Sequence, residues 1–220
     1  MIISVYNLKG GCGKSTIATN LAVAYTHLGY KVCLIDTDLD QASAMEWSSK
    51  RGEEEMYVEV SGKRPGQITQ EASRLRSAYD VIIIDGTPKL SELSDRILLA
   101  SDIVLIPMKP SYQDFRSTEK FIQEYREIKK AREENNLSRV QAYIILNEVK
   151  TNSKAFEHYK ETVAPLDEPL LHSISNRVAY ADAFEFGLGV VEWDDKKARE
   201  EIQELMVKIE EIVQLPQAQT

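Results

Sequence analysis

Cysteine is scarce in this chain. Its 220 residues include only Cys12 and Cys33. Neither stands in a Cys-x-x-Cys or Cys/His spacing, which argues against a disulfide framework or a metal cluster. No run of about 20 apolar residues occurs, so no membrane-spanning helix is expected. The first apolar run, residues 2–6, is too short for a signal peptide and ends in a glycine-rich loop. A cytoplasmic protein is the expectation. There is no internal repeat and no low-complexity linker. Positive charge is in deficit: 27 Lys and Arg face 35 Asp and Glu, for a net charge of −8. Such a chain is not a bulk nucleic-acid binder, and any DNA contact has to come from a local basic patch.

What remains is an ordinary globular balance, 43% hydrophobic and 28% charged, long enough for a sizeable core. Apolar runs rich in Ile and Val read as strands over residues 2–6, 31–36, 81–85, 103–107 and 141–146, with a weaker sixth at 170–174. Amphipathic stretches between them read as helices over 14–28, 67–78, 91–100, 112–135, 153–164 and 194–215. Strand–helix alternation predicts a three-layer α/β/α fold, a mostly parallel twisted sheet with helices on both faces. In such sheets ligands bind at the carboxyl ends of the strands. The expected organisation is one domain over 1–215 and a frayed tail over 216–220. In the last helix Ala198, Ile202, Leu205, Ile209 and Ile212 form one buried stripe, and Asp194 is placed to cap its start.

The first loop, Asn7 to Thr16, reads NLKGGCGKST. The Gly-x-x-x-x-Gly-Lys-Ser/Thr frame fails, because counting back five from Gly13 lands on Leu8. The physics of a phosphate loop survives the variation. Gly10, Gly11 and Gly13 let the backbone N–H groups of the loop, Cys12 included, turn inward around a phosphate. Lys14, Ser15 and Thr16 open a helix whose N-terminus favours an anion. The Lys14 ammonium can reach the β- and γ-phosphates, and the Ser15 hydroxyl can ligate Mg²⁺. At the next strand end, Asp36 and Asp38 alternate; one can hold a Mg²⁺-bound water while the other faces an attacking water. The run YDVIIIDGTP ends a strand in Asp85, a carboxylate placed beside Mg²⁺, and Gly86, Thr87 and Pro88 follow as a switch segment able to sense a γ-phosphate. Asn147 stands at another strand end, where its amide can pair with the donor and acceptor of a base edge.

The glycine loop with its extra Lys9 resembles the variant Walker A box of the ParA/MinD ATPases. The stretches LIDTDLDQASAMEW, LIPMKPSYQD and ILNEVK are similar to further family boxes. Gln41, Ser43, Ala44 and Trp47 keep the family spacing, while Leu39 and Asp40 replace a single proline. The resemblance implies ATP with Mg²⁺ as the bound nucleotide. It implies that Lys9 reaches the phosphates of a second copy in an ATP-dependent homodimer. It gives Asp38 the attacking water, Asp36 an outer-sphere Mg²⁺ contact and Asn147 the adenine. A small ParA-type partition ATPase is the expected branch, one that binds DNA non-specifically on the nucleoid and is released when a ParB-like adaptor stimulates hydrolysis. DNA contacts are then expected from Arg177, Lys196, Lys197 and Arg199. A MinD-like basic membrane helix is not expected, because the last helix is rich in glutamate and runs into Pro216. Two alternatives are a cargo-positioning ATPase with another adaptor, and a metabolic P-loop enzyme that activates a small acid.

Overall fold

The computed structural model describes residues 1–53, 55–88, 95–135 and 140–214. Seven strands form one sheet: β1 (Ile2–Val5), β2 (Val32–Asp36), β3 (Glu59–Gly62), β4 (Val81–Asp85), β5 (Ile103–Met108), β6 (Gln141–Val149) and β7 (Leu170–Ser175). Their order is β3-β2-β4-β1-β5-β6-β7, and every adjacent pair is parallel. Six of these strands follow the apolar runs. The edge strand β3 escapes the pattern because its four residues, Glu-Val-Ser-Gly, are only half-buried.

The central strands are apolar at nearly every position because both faces are covered. Ile3 and Val5 of β1, with Val81 and Ile83 of β4, enter one core; Ile2, Ile82 and Ile84 enter the other. The first core is closed by α1 (Lys14–His27), α2 (Ser43–Ser49), α7 (Val178–Glu185) and α8 (Lys196–Gln214). The second is closed by α3 (Ile68–Leu75), α4 (Asp95–Ala100), α5 (Tyr112–Glu134) and α6 (Lys154–Val163). This is the expected three-layer architecture. Helices α2 and α7 were not anticipated; with seven and eight residues they are too short for a helical period to stand out.

The stripe of α8 is as expected, with Ala198, Ile202, Leu205 and Ile209 fully buried. Its cap is displaced by one residue. Asp195, not Asp194, stands at the N-cap and accepts from the Ala198 N–H at 3.0 Å. The expected helix over 91–100 is described only from Asp95, and the expected tail 216–220 lies outside the described residues.

The register of the sheet sets up the site. Val5 pairs with Asp85, and Asp85 pairs with Asp36. Three strand tips therefore end at one level, at the carboxyl edge where the loop after β1 leaves the sheet.

Candidate functional site

The loop between β1 and α1 is anchored at its root. Buried Asn7 donates to the Pro107 carbonyl at 2.8 Å and to the Thr118 hydroxyl at 2.9 Å. Its side-chain amide oxygen Oδ1 accepts from the Lys9 N–H. Gly11 and Gly13 take left-handed backbone angles, with φ of +70° and +97°. At Gly13 a side chain is excluded twice over, since a Cβ there sits 2.0 Å from the Asn147 amide nitrogen. The Lys9 carbonyl is a second anchor: it accepts from the Lys14 ammonium at 2.8 Å and from the Cys12 thiol at 3.2 Å. Lys14 is thus folded over its own loop and buried. The Lys9 ammonium has no partner among the described residues and does not line this cleft. Burial pushes the Cys12 thiol up from its ordinary value, so it is an inert part of the loop.

A cleft of about 310 Å³ opens above the loop. Gly10, Gly11, Gly13, Lys14, Ser15 and Thr16 form one wall; Asp38, Gln41, Ser43, Gly86 and Pro88 form the other. Asp85, buried at the tip of β4, immediately precedes the lining residue Gly86. Burial, followed by the nearby Asp36 charge, pushes its carboxyl up to about 7, against the Ser15 hydroxyl and the Lys14 ammonium, which favour the ionised form. Its Oδ1 is buried without a partner among the described residues. An orphaned carboxylate oxygen beside a serine hydroxyl suits a hard divalent cation. Those two residues fit Mg²⁺ and would hold it here. Among the described residues no group of three or more His, Cys, Asp or Glu converges to hold an ion by protein ligands alone.

The two switch carboxylates part company. Asp38 faces the cleft. Asp36 is fully buried and occupied: Oδ1 accepts from the Asp38 N–H at 3.0 Å, and Oδ2 accepts from the Ala44 and Met45 N–H groups at 2.9 and 3.2 Å. It satisfies the N-terminus of α2, which begins from Ala42 at a left-handed φ of +48°. Burial raises its pKa, although these backbone donors hold it down. Asn147 donates to the Cys12 carbonyl at 2.8 Å, so its amide braces the loop from behind.

The chain matches the CobQ/CobB/MinD/ParA nucleotide-binding domain family over residues 3–190. It belongs to this family. Among curated relatives, the maintenance of carboxysome distribution protein A of Halothiobacillus neapolitanus is 28% identical over 216 residues, covering 94% of this chain and 95% of that protein. Protein ParA of Rhizobium radiobacter is 26% identical and covers 84% of this chain and 83% of its own length. Among solved structures, the Mg-ADP complex of MinD from Pyrococcus horikoshii has a TM-score of 0.77 at 19% identity, covering 99% of both chains. An ATP complex of a Cyanothece McdA variant has a TM-score of 0.71 at 18% identity, covering 100% of this chain and 98% of that one.

Against that family frame, the four basic residues expected to touch DNA are not equivalent. Arg177 donates through Nε and Nη2 to Glu201 at 3.1 Å, and Glu201 also accepts from Tyr180 and the Ser175 N–H. Arg199 donates to the Trp193 carbonyl at 2.9 Å. Lys196 is 85% exposed, with one long contact of 3.6 Å to Glu200, and Lys197 is exposed. Three positioning residues were missed by sequence reasoning. Asn7 carried no signal beyond following a strand. Thr37 ties both switch segments together, donating to the Asp85 carbonyl and accepting from the Thr87 N–H. Glu148 lines the cleft from the end of β6. No helix among the described residues is long and apolar enough to cross a membrane.

Proposed function

We propose that this chain is an ATP hydrolase of the ParA type, a nucleotide-driven switch that distributes a large cargo over DNA. The observation that carries the reading is the cleft and what lies behind it: a buried lysine on the loop wall, Asp38 on the facing wall, and next to Ser15 and Lys14 the orphaned buried carboxylate of Asp85. Lys14 neutralises the β- and γ-phosphates. Ser15 and Asp85 hold Mg²⁺, which when bound screens the charge that develops on the transferred phosphoryl group. Asp38 orients the attacking water as a hydrogen-bond acceptor. The Lys9 ammonium, without a partner among the described residues and absent from the lining of its own cleft, serves the phosphates of a second copy in the manner of an arginine finger. Asn147 receives the adenine beside the loop it already braces. The ATP-bound dimer binds DNA through Lys196 and Lys197 and gathers on the nucleoid. An adaptor of the ParB kind stimulates hydrolysis and releases it.

Two cargoes fit this cycle. One is a plasmid or chromosome segment. The other is a protein body, a reading favoured by the carboxysome-distribution relative that matches nearly the whole chain.

The test is turnover and DNA co-sedimentation with ATP, ADP or no nucleotide, for wild type and Asp38→Ala. Slow hydrolysis and ATP-dependent DNA binding are expected for wild type. Asp38→Ala should hydrolyse at least tenfold more slowly while retaining ATP and accumulating on DNA. Fast turnover that depends on a small carboxylic acid and ignores DNA overturns the reading in favour of a metabolic enzyme.

A further inference from the structure

Two cavities meet at the carboxyl edge of the sheet. One is the phosphate-loop cleft. The other, about 160 Å³, opens beside it between the ends of β6 and β7, with Asn147, Asn176 and Tyr180 in its wall. Among the described residues, only Thr16 and Glu148 line both. A nucleotide with its phosphates in the first cavity and its base in the second has to pass its sugar between them, because the ribose joins the two. Glu148 stands at that station.

The backbone there is specially built. The pairing of β6 with β7 slips between Leu146 and Val149. Within the slip, Glu148 adopts a φ of +52°, a left-handed conformation that a residue with a Cβ rarely takes. Bulges of this kind re-aim side chains beside binding sites, and strained residues persist only where their surroundings hold them. Here the irregularity seats Asn147 against Gly13 and sends the next side chain to the mouth between the cavities. The carboxylate is then fixed from one side: Oε1 lies 2.7 Å from the Lys109 ammonium. Lys109 is itself held, its N–H donating to buried Asp114. Glu148 has no other partner among the described residues, and its side chain is 42% exposed. One oxygen is anchored and the other is available.

An ionised carboxylate only accepts hydrogen bonds. The phosphates of a nucleotide repel it. The donors a nucleotide offers at this junction are the 2′- and 3′-hydroxyls of its sugar. We propose that Glu148 reads the ribose of the bound nucleotide and selects ribonucleotides over deoxynucleotides. The inference rests on the reading that ATP occupies the cleft.

Calorimetric titration of the full chain with ATP, 2′-deoxy-ATP and 2′,3′-dideoxy-ATP in the presence of Mg²⁺ tests it. A hydrogen bond to a charged acceptor is worth about tenfold or more in affinity, so wild type should bind ATP about tenfold more tightly than the dideoxy analogue. Glu148→Gln should shrink that ratio, and Glu148→Ala should bring it near one. In Glu148→Ala the affinity for the dideoxy analogue should hold or rise, since a like charge near the phosphates is gone. Glu148→Gly relieves the left-handed backbone, so it should fold at least as stably and still lose the discrimination. If wild type binds all three nucleotides equally, or the ratio survives in Glu148→Ala and Glu148→Gly, the sugar-reading role falls while the nucleotide site stands. An equal loss for all three nucleotides in every variant makes Glu148 structural and also overturns it. Absence of ATP binding to wild type overturns both readings.

Discussion

Lys9 and Lys14 are five residues apart on one loop, yet they meet different surroundings. Lys14 is buried with its ammonium on the Lys9 carbonyl, while the Lys9 ammonium has no described partner. Lys14→Ala should abolish ATP binding by the monomer. Lys9→Ala should leave monomer affinity within a fewfold of wild type and lose the ATP-dependent dimer. Fluorescent-nucleotide titration paired with light scattering separates the two; a Lys9→Ala dimer of normal size returns Lys9 to the solvated surface. Gly13 offers a sharper test of the loop. Gly13→Ala brings both a left-handed backbone penalty of about 1–2 kcal/mol and the clash with Asn147. Adding Asn147→Ala removes only the clash. The double variant should therefore recover part of the lost stability, a coupling of about 1 kcal/mol or more in a denaturant double-mutant cycle. Strict additivity would show that Asn147 moves aside freely. The glycines, Lys14 and Asp85 were legible in the sequence because phosphate chemistry dictates residue type and spacing. Asn7, Thr37 and Glu148 were not, since each acts through a contact made only by the sheet's register.

At the scale of elements, two short segments matter most, and they were the hardest to anticipate. Helix α2 and the loop before α8 carry no long apolar period, so nothing local announces them. They are held by tertiary clamps instead. Asp36 satisfies the N-terminus of α2. Arg51, just beyond its C-terminus, pairs with Glu192 at 2.8 Å, with both side chains over nine-tenths buried. The same guanidinium donates to the Gly187 carbonyl and lies over the Trp47 ring. Burial by itself raises the Glu192 pKa, but hydrogen bonds from Arg51, the Gly189 N–H and His27 outweigh it and hold the carboxyl below its ordinary range. A depressed folded-state pKa stabilises the fold above the unfolded value of 4.5. That contribution fades as pH falls through the lower folded value. Glu192→Gln should lower the melting temperature by about 5–10 °C at pH 7, as expected for losing about 2–3 kcal/mol in a chain of this size. The gap between variant and wild type should narrow steadily below pH 4.5. A gap that stays constant down to pH 3 rules the pair out as a pH-dependent clamp. Six of the seven strands, in contrast, were read, five to within a residue at each end and β6 three residues short, because a sheet buried on both faces demands unbroken Ile and Val; the half-buried edge strand β3 was not.

The whole molecule poses an electrostatic problem: a chain of net charge −8 is proposed to bind a polyanion. Long-range repulsion has to be beaten by a few well-placed cations and by doubling them in a dimer. The sheet orders those cations through α8, whose buried stripe of Ala198, Ile202 and Leu205 docks one face and leaves Lys196 and Lys197 of the first turn exposed. Arg177 and Arg199 are engaged with Glu201 and the Trp193 carbonyl, so this face leaves Lys196 and Lys197 to reach phosphates. A dimer then presents four such lysines. If each neutralises one phosphate, log K should fall against log salt with a slope of about −3.5, whatever the DNA sequence. Charge reversal at both positions, Lys196→Glu with Lys197→Glu, should abolish ATP-dependent DNA binding while leaving ATP binding and dimerisation intact. Arg177→Ala should behave in the opposite way. It leaves Glu201 without its cation and should lower thermal stability with little change in the salt slope. Gel shifts across a salt series, run beside thermal melts of the same preparations, distinguish the two kinds of arginine and lysine. DNA binding that survives the lysine reversals but is lost with Arg177 would move the interface to the mouth of the second cavity and detach it from α8.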